Sequence, residues 1–409
     1  MARLIFVKTQ HPLPNSIVSF LPNPINHMNN VSQIQTHASK SFMKAPFNLF
    51  AIGLTLMLAL CCTTNCQAQT GQKPYLLALS KNDKTLAIVD PVSFKVIARV
   101  PVGQDPHEVI AAADGKTAYV TIYGGGSLHE IDVIDLVNKK VLPPIDTKPF
   151  CGPHGITFAA GKVWFTAEGS KTVVRYNPAT GAFDWAMGTG QDRTHMLYVT
   201  PNGKRIYTTN VSSGTVSILV DTLMQQGGFG PPPGGGGGPG PGGPPAGGPP
   251  PGFKPQPRSD WSQTVIPVSK GSEGFDVSPD GKQLWTAAAN DGTIAIIDLG
   301  TKKVIETIDA KVLGANRLQF TPDNKYVLIS SLQNGDLTVY DASLHKEVKK
   351  INIGHGAAGI LIDPDGSRAF IGCTADNYVA VVDLKTLQVS NHIDVGGGPD
   401  GLAWAARAE

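Results

Sequence analysis

Three histidines and a glutamate, His107, His154, His195 and Glu273, stand at the same place in successive copies of one sequence pattern. Neutral imidazoles are good ligands for zinc, copper, iron and nickel, and a carboxylate beside them suits a centre that keeps one coordination position open. A divalent transition metal held there would lower the pKa of bound water enough to make a nucleophile near neutral pH. Alternatively it would polarise a substrate carbonyl while Glu273 acts as general base. Arg193 and Arg317 lie beside the same positions and suit bidentate contact with an anionic substrate. The series continues through Asn316, Ala358 and Asp400. Arg193, Arg317, Asn316 and Asp400 are therefore the expected ligand-binding set, and His107, His154, His195 and Glu273 the expected metal set. A plainer reading stands beside this one. Positions around a water-filled channel tolerate many polar residues, and Pro106-His107 and Gly152-Pro153-His154 would also shape a turn. No His-Glu-x-x-His spacing supports the metal, because the residues come from separate segments.

Other candidates are weaker. Gly124-Gly125-Gly126, followed by His129 and Glu130, reads as an extended loop on the same face, either a lid or a plain connection. It lacks the Gly-Lys-Ser/Thr of a phosphate-binding loop. Asp90, Asp135, Asp298, Asp341 and Asp383 recur at the ends of third strands, and recurrence in most copies argues for turns rather than catalysis. Cys151, three residues before His154, is a soft ligand in principle, although a lone thiol is more often structural. No Gly-x-Ser-x-Gly elbow is present.

The elements that position these residues repeat about every 40 residues from residue 73 onwards. Aligned on a turn often written Asp-Gly-Lys, the copies include HEVIAAADGKTAYVT (107–121), HGITFAAGKVWFT (154–166), HMLYVTPNGKRIYTT (195–209) and EGFDVSPDGKQLWTA (273–287). NRLQFTPDNKYVLIS (316–330) and AGILIDPDGSRAFIG (358–372) complete the series. Val, Ile, Thr and Tyr suit a pleated, half-buried surface. Asp-Gly and Asn-Gly between two such runs favour tight hairpins because they tolerate positive φ. Four short strands without helical periodicity make one antiparallel blade, which cannot bury its faces alone and must stack on neighbours. Six copies are complete. Residues 73–103 lack a first strand, and the C-terminal Pro399-Asp400-Gly401-Leu402-Ala403-Trp404 supplies one. The expectation is an all-β, seven-bladed β-propeller of four-stranded antiparallel blades over residues 73–405. Its ring is closed by joining the C-terminal strand to the N-terminal blade, which removes free sheet edges.

The motifs DGKTAYVT, PDGKQLWTAAANDGTIAIIDLGTKKVIETI and PDGSRAFIG resemble the YVTN family of β-propeller repeats across nearly all of residues 73–405. That resemblance implies an exported or surface protein with a binding role. One blade, PHGITFAAGKVWFTAEGSKTVVRYNPATG, is also similar to repeats of virginiamycin B lyase, which implies metal-dependent chemistry on a seven-bladed ring. The likeness covers one blade in seven, and no catalytic residue is carried over from it.

Two segments stand outside the repeats. Residues 1–42 show no periodicity and are read as untranslated or disordered. From Met43, Lys44 and the apolar run Phe47–Leu60 read as a signal peptide over 43–68, with cleavage after Ala68 and a short leader over 69–72. The run is shorter than the roughly 20 apolar residues of a membrane span. Leu58-Ala59-Leu60-Cys61 resembles a lipobox, although Leu60 fits it poorly. The expected location is periplasmic or secreted. Residues 226–257, almost wholly Gly and Pro, interrupt blade 4 and cannot build a core. Either a surface insertion or a partner-binding arm fits them. Charged residues make up 16% of the chain and the net charge is +2, which gives no basic field for nucleic acid. The expected partner is a small molecule or a protein at the propeller face, with no transmembrane span in the mature chain and a monomeric state. Cys151 and Cys373 lie four repeats apart and are expected to be unpaired.

Overall fold

The computed structural model describes residues 73–224 and 258–407, and the leader and the Gly/Pro segment lie outside them. Each repeat folds as a four-stranded antiparallel sheet, and the described residues hold seven. Numbered along the chain, blade 1 takes its inner strand from the C-terminus. Pro399–Ala405 pairs with Tyr75–Ser80, ahead of Thr85–Val89 and Val96–Pro101. Leu77 faces Ala403 across that seam. The seven-bladed ring expected from the repeats is the one observed.

Burial explains the strand compositions. Second strands such as Thr117–Ile122 and Tyr326–Ser331 are buried on both faces and read as continuous apolar runs. Outer strands such as Ala182–Gly188 alternate between exposed and half-buried. Between blades 1 and 2, Leu77, Leu86, Val109, Val120 and Ile134 interlock in one cluster. A fully buried side chain of this size stabilises by about 1.5–3 kcal/mol.

The punctuation also has local causes. In five blades the turn after the inner strand needs positive φ at its third residue, filled by Gly115, Gly203, Gly281, Gly366 and, in blade 6, Asn324. Asp90, Asp135, Asp298, Asp341 and Asp383 each accept backbone N–H bonds from residues two or three further on, which is the turn role their recurrence suggested. In blade 4 the third and outer strands, Thr215–Met224 and Arg258–Pro267, pair over ten residues and project past the sheet toward the Gly/Pro segment. That end faces away from the mouth where inner strands begin. Cys151 and Cys373 are both free thiols. No helix among the described residues is long and apolar enough to cross a membrane.

Candidate functional site

Every inner strand carries a bulge at the same register, and each bulge is a pair of residues. Pairing skips from Pro106 to Val109, from Pro153 to Ile156, from Thr194 to Leu197, and likewise in blades 5, 6, 7 and 1. A bulge adds a residue and re-aims a side chain. The first residue of each pair is the series His107, His154, His195, Glu273, Asn316, Ala358, Asp400, and all seven line one cavity of about 230 Å³ at the channel mouth. The second residue is glycine in four blades, because a Cβ there would strike the next blade. At Gly155 it would lie 2.5 Å from the His195 carbonyl oxygen, and at Gly359 2.1 Å from that of Asp400.

In four blades the Thr or Ser that closes the YVT-like motif locks the next blade's bulge in place. Thr121 Oγ1 accepts the Glu108 N–H and donates to the His154 carbonyl of the next blade at 2.8 Å. Thr166 bonds the His195 carbonyl, Thr209 that of Glu273, and Ser330 that of Ala358. Each such bond contributes about 1 kcal/mol. Together they fix the first ring of the mouth.

Two further rings follow from the same register, and the sequence reading did not find them as such. Two residues beyond the YVT-like threonine come Lys81, Tyr123, Glu168, Leu332 and Thr374 in their respective blades. Two residues before the bulge come Asp105, Gly152, Arg193, Gly271, Gly314, Gly356 and Gly398, all at positive φ. Five are glycine. Asp105 (φ 55°) and Arg193 (φ 53°) hold the left-handed region with a full side chain, a conformation that costs roughly 1–2 kcal/mol per residue. Such strain is typical of functional positions.

The histidines meet. Ring centroids of His107 and His154 are 4.7 Å apart, and those of His154 and His195 are 3.9 Å apart. His154 is buried and its Nδ1 has no hydrogen-bond partner among the described residues. Burial holds its pKa well below the usual range, and the neighbouring His195 and His107 push it further down. His107 is lowered too, by burial and by Lys81, whose Nζ lies 2.9 Å from Nε2; Asp400 and Asp105 oppose this. Asp105 Oδ1 stands 3.0 Å from the same nitrogen. Both rings are therefore neutral near pH 7.

Glu168, in the short turn after the second strand of blade 3, is the acid the histidines find. Its Oε1 bonds His195 Nδ1 and its Oε2 accepts from the Tyr123 hydroxyl. Burial works against its charge, but His195, Tyr123 and Arg193 hold its pKa below the usual value. His154, His195 and Glu168 offer ligand atoms that all lie within 4.8 Å of one another. Glu273 is at the mouth but outside that trio. Its Oε2 accepts from Asn316 Nδ2 at 2.7 Å and its Oε1 from Arg193 Nη2 at 3.3 Å. Asp400 pairs with Lys81 at 3.3 Å. Arg317 forms a buried ion pair with Glu108 of blade 2, while its Nη1 donates to Asn316 Oδ1 at 3.2 Å. Burial lowers its pKa, yet Glu108, Asp400 and Glu273 together hold it above the ordinary value. Arg193 is the half-exposed cation of the site.

Glu108, Tyr123, Lys81 and Asp105 were not singled out by sequence, nor was Glu168. A signal existed for some. Glu108 and Arg317 occupy the second bulge position where four blades have glycine, and Lys81, Tyr123 and Glu168 share one register.

The Gly-Gly-Gly loop packs against blade 3 beside this site. A Cβ on Gly152 would fall 2.6 Å from Gly126 Cα, and Gly125 N–H donates to Asp105 Oδ2 at 3.3 Å.

No protein-family model matches the chain, and no curated protein does. Solved structures do. A Bacteroides uniformis protein provisionally described as a 6-phosphogluconolactonase is similar with a TM-score of 0.62 at 15% identity, over 81% of this chain and 99% of that one. A Desulfotomaculum acetoxidans protein of unknown function is similar with a TM-score of 0.60 at 11% identity, over 81% and 99%. The Kuenenia stuttgartiensis hydrazine synthase gives 0.56 at 15% identity, over 73% and 89%. At these identities the likeness shows the propeller fold alone.

Proposed function

We propose that this chain is an exported propeller of the YVTN type whose channel mouth binds a small polar molecule. The carrying observation is the cavity of about 230 Å³ on which the first residues of all seven bulges converge. Arg317, paired with the buried Glu108, lines the same cavity. Two strained residues, Asp105 and Arg193, extend side chains at its rim where glycine would relieve the backbone. The YVTN motifs and the Met43–Ala68 leader support the export part of this reading, for which intact-mass analysis should find Gln69 as the first residue.

The test is a thermal-shift and equilibrium-dialysis screen of carboxylates, sugar phosphates and lactones on the full chain, beside a His107→Ala/Arg193→Ala variant. A probe that binds the wild type and loses at least tenfold in affinity in the variant is the expected result. No bound probe, or one indifferent to the variant, overturns the reading.

A metal-dependent hydrolase acting on lactones is the second reading. It is favoured by His154, His195, Glu273 and Arg193 lining one cavity, with Glu168 bonded to His195 behind it. Glu273 would then serve as general base, with Arg193 orienting an anionic substrate. Lactone hydrolysis that survives Glu273→Gln undiminished would remove that role.

A further inference from the structure

Charge in the mouth does not balance. Lys81, Arg193 and Arg317 supply three cations, and Asp105, Glu108, Glu168, Glu273 and Asp400 supply five carboxylates, so 3 − 5 leaves a formal −2 when the imidazoles are neutral. Excess negative charge in a half-closed site costs free energy unless a cation offsets it. A second observation is independent of charge. The Nδ1 of His154 is buried without a partner, an arrangement that costs about 1–3 kcal/mol when nothing satisfies the group. Two imidazoles and one carboxylate then converge on the same spot, with ligand atoms within 4.8 Å.

We propose that His154, His195 and Glu168 form a site for a divalent transition metal, with an open coordination position facing the mouth cavity. The inference rests on the channel mouth being the ligand site and names what the ligand would meet there. Two imidazoles and one carboxylate suit zinc or iron(II). Ligand bonds of roughly 2.0–2.2 Å place tetrahedral donors about 3.4 Å apart, so His154 needs to close in, and the hydrogen-bonded His195–Glu168 pair to open, each by only on the order of an ångström.

The chain's own residues are arranged for this. The ion would take the place of the hydrogen bond between His195 Nδ1 and Glu168 Oε1, with His195 neutral and its N–H on Nε2. Tyr123, donating to Glu168 Oε2, orients the carboxylate from outside the coordination shell, the usual way such ligands are held. Arg193 Nε, 3.8 Å from the same oxygen, limits the net negative charge. Glu273 lies outside the converging trio, and its two oxygens turn to Asn316 and Arg193 instead.

The experiment uses the full chain, stripped with chelator and dialysed. Zinc is titrated calorimetrically, and cobalt(II) is followed by its visible absorption. One ion per chain is expected, with a rise in melting temperature on zinc addition. Glu168→Gln and His154→Ala should each weaken binding at least tenfold and abolish that rise, while Glu273→Gln keeps both. If Glu168→Gln fails to fold, the cobalt spectrum of His154→Ala decides, since losing one nitrogen donor must change it. No stoichiometric ion in the wild type, or equal loss in Glu273→Gln and Glu168→Gln, overturns the assignment. A small-molecule probe that binds the stripped protein, with no stoichiometric ion taken up, would keep the mouth as a ligand site and sink the metal. A bound ion without any bound probe would do the reverse.

Discussion

Blades 2 to 4 and blades 5 to 7 present the same three rings of positions to the channel and fill them differently. In the first half the bulge residues are His107, His154 and His195, and the ring above holds Asp105 and Arg193 at positive φ. In the second half the bulges carry Glu273, Asn316 and Ala358, and the matching positions are all glycine, Gly271, Gly314 and Gly356. The scaffold is common to both: the bulge register and the Thr or Ser link to the next blade recur on each side, in Thr121 and Thr166 as in Ser330. In these rings, non-glycine residues at positive φ and buried imidazoles are confined to one. Where equivalent positions agree, packing accounts for them; where they disagree, the chemistry of the mouth does.

The largest expected effect tests what ties the halves together. Arg317 of blade 6 and Glu108 of blade 2 are both buried and meet across the channel. Arg317→Met should destabilise by about 3–5 kcal/mol in urea unfolding, because it strands a buried carboxylate. Adding Glu108→Leu should restore most of the loss. A double variant as unstable as the single would show that the pair is not what joins the halves.

Glycine at the second bulge position should matter equally on both sides. Gly155→Ala in blade 3 and Gly359→Ala in blade 7 each push a methyl group into the next blade's backbone. A cost of about 1–3 kcal/mol is expected for each. A large difference between their unfolding midpoints would break the claim of a shared scaffold.

Acid should act on the halves in opposite senses. His154 has a folded pKa well below its reference value of 6.5, so its contribution is present above pH 6.5 and lost as pH falls. Asp276, half-buried in the inner strand of blade 5, is pushed by burial to about 7 against the N–H groups of Phe320 and Val277. Its folded form holds a proton that the unfolded chain has lost, so stability falls as pH rises from about 4 to about 7 and is level above. One proton gives a slope of at most about 1.4 kcal/mol per pH unit. Unfolding midpoints between pH 4 and 8 should lose the rising-pH decline in Asp276→Asn and the acid decline in His154→Asn.

The smallest effect has the opposite sign. Arg193→Gly should raise stability by about 1 kcal/mol, since glycine adopts the left-handed conformation freely. The same change should weaken probe binding at the mouth. Calorimetric melting that shows no gain would mean Arg193 is not strained in favour of the site.

Much of this was readable from the chain alone. The forty-residue period, the Asp-Gly turns and the half-strands at each end determined seven four-stranded blades and their closure, because strand pattern and turn chemistry are local. The same alignment placed His107, His154, His195, Glu273, Asn316 and Asp400 round one mouth, which needs only that equivalent positions stay equivalent in a ring. It also made the recurrent aspartates turn residues, as Asp135 and Asp341 show. What tertiary structure decided is which groups touch. Glu168 reaches His195 from a short loop whose sequence differs in every blade, and Glu108 reaches Arg317 across 209 residues. Glu273, adjacent to the histidines in the series, turns instead to Asn316 and Arg193. No periodicity encodes these contacts. They depend on how far side chains extend into a channel a few ångströms wide, where buried charges must find partners wherever the closed ring happens to offer them.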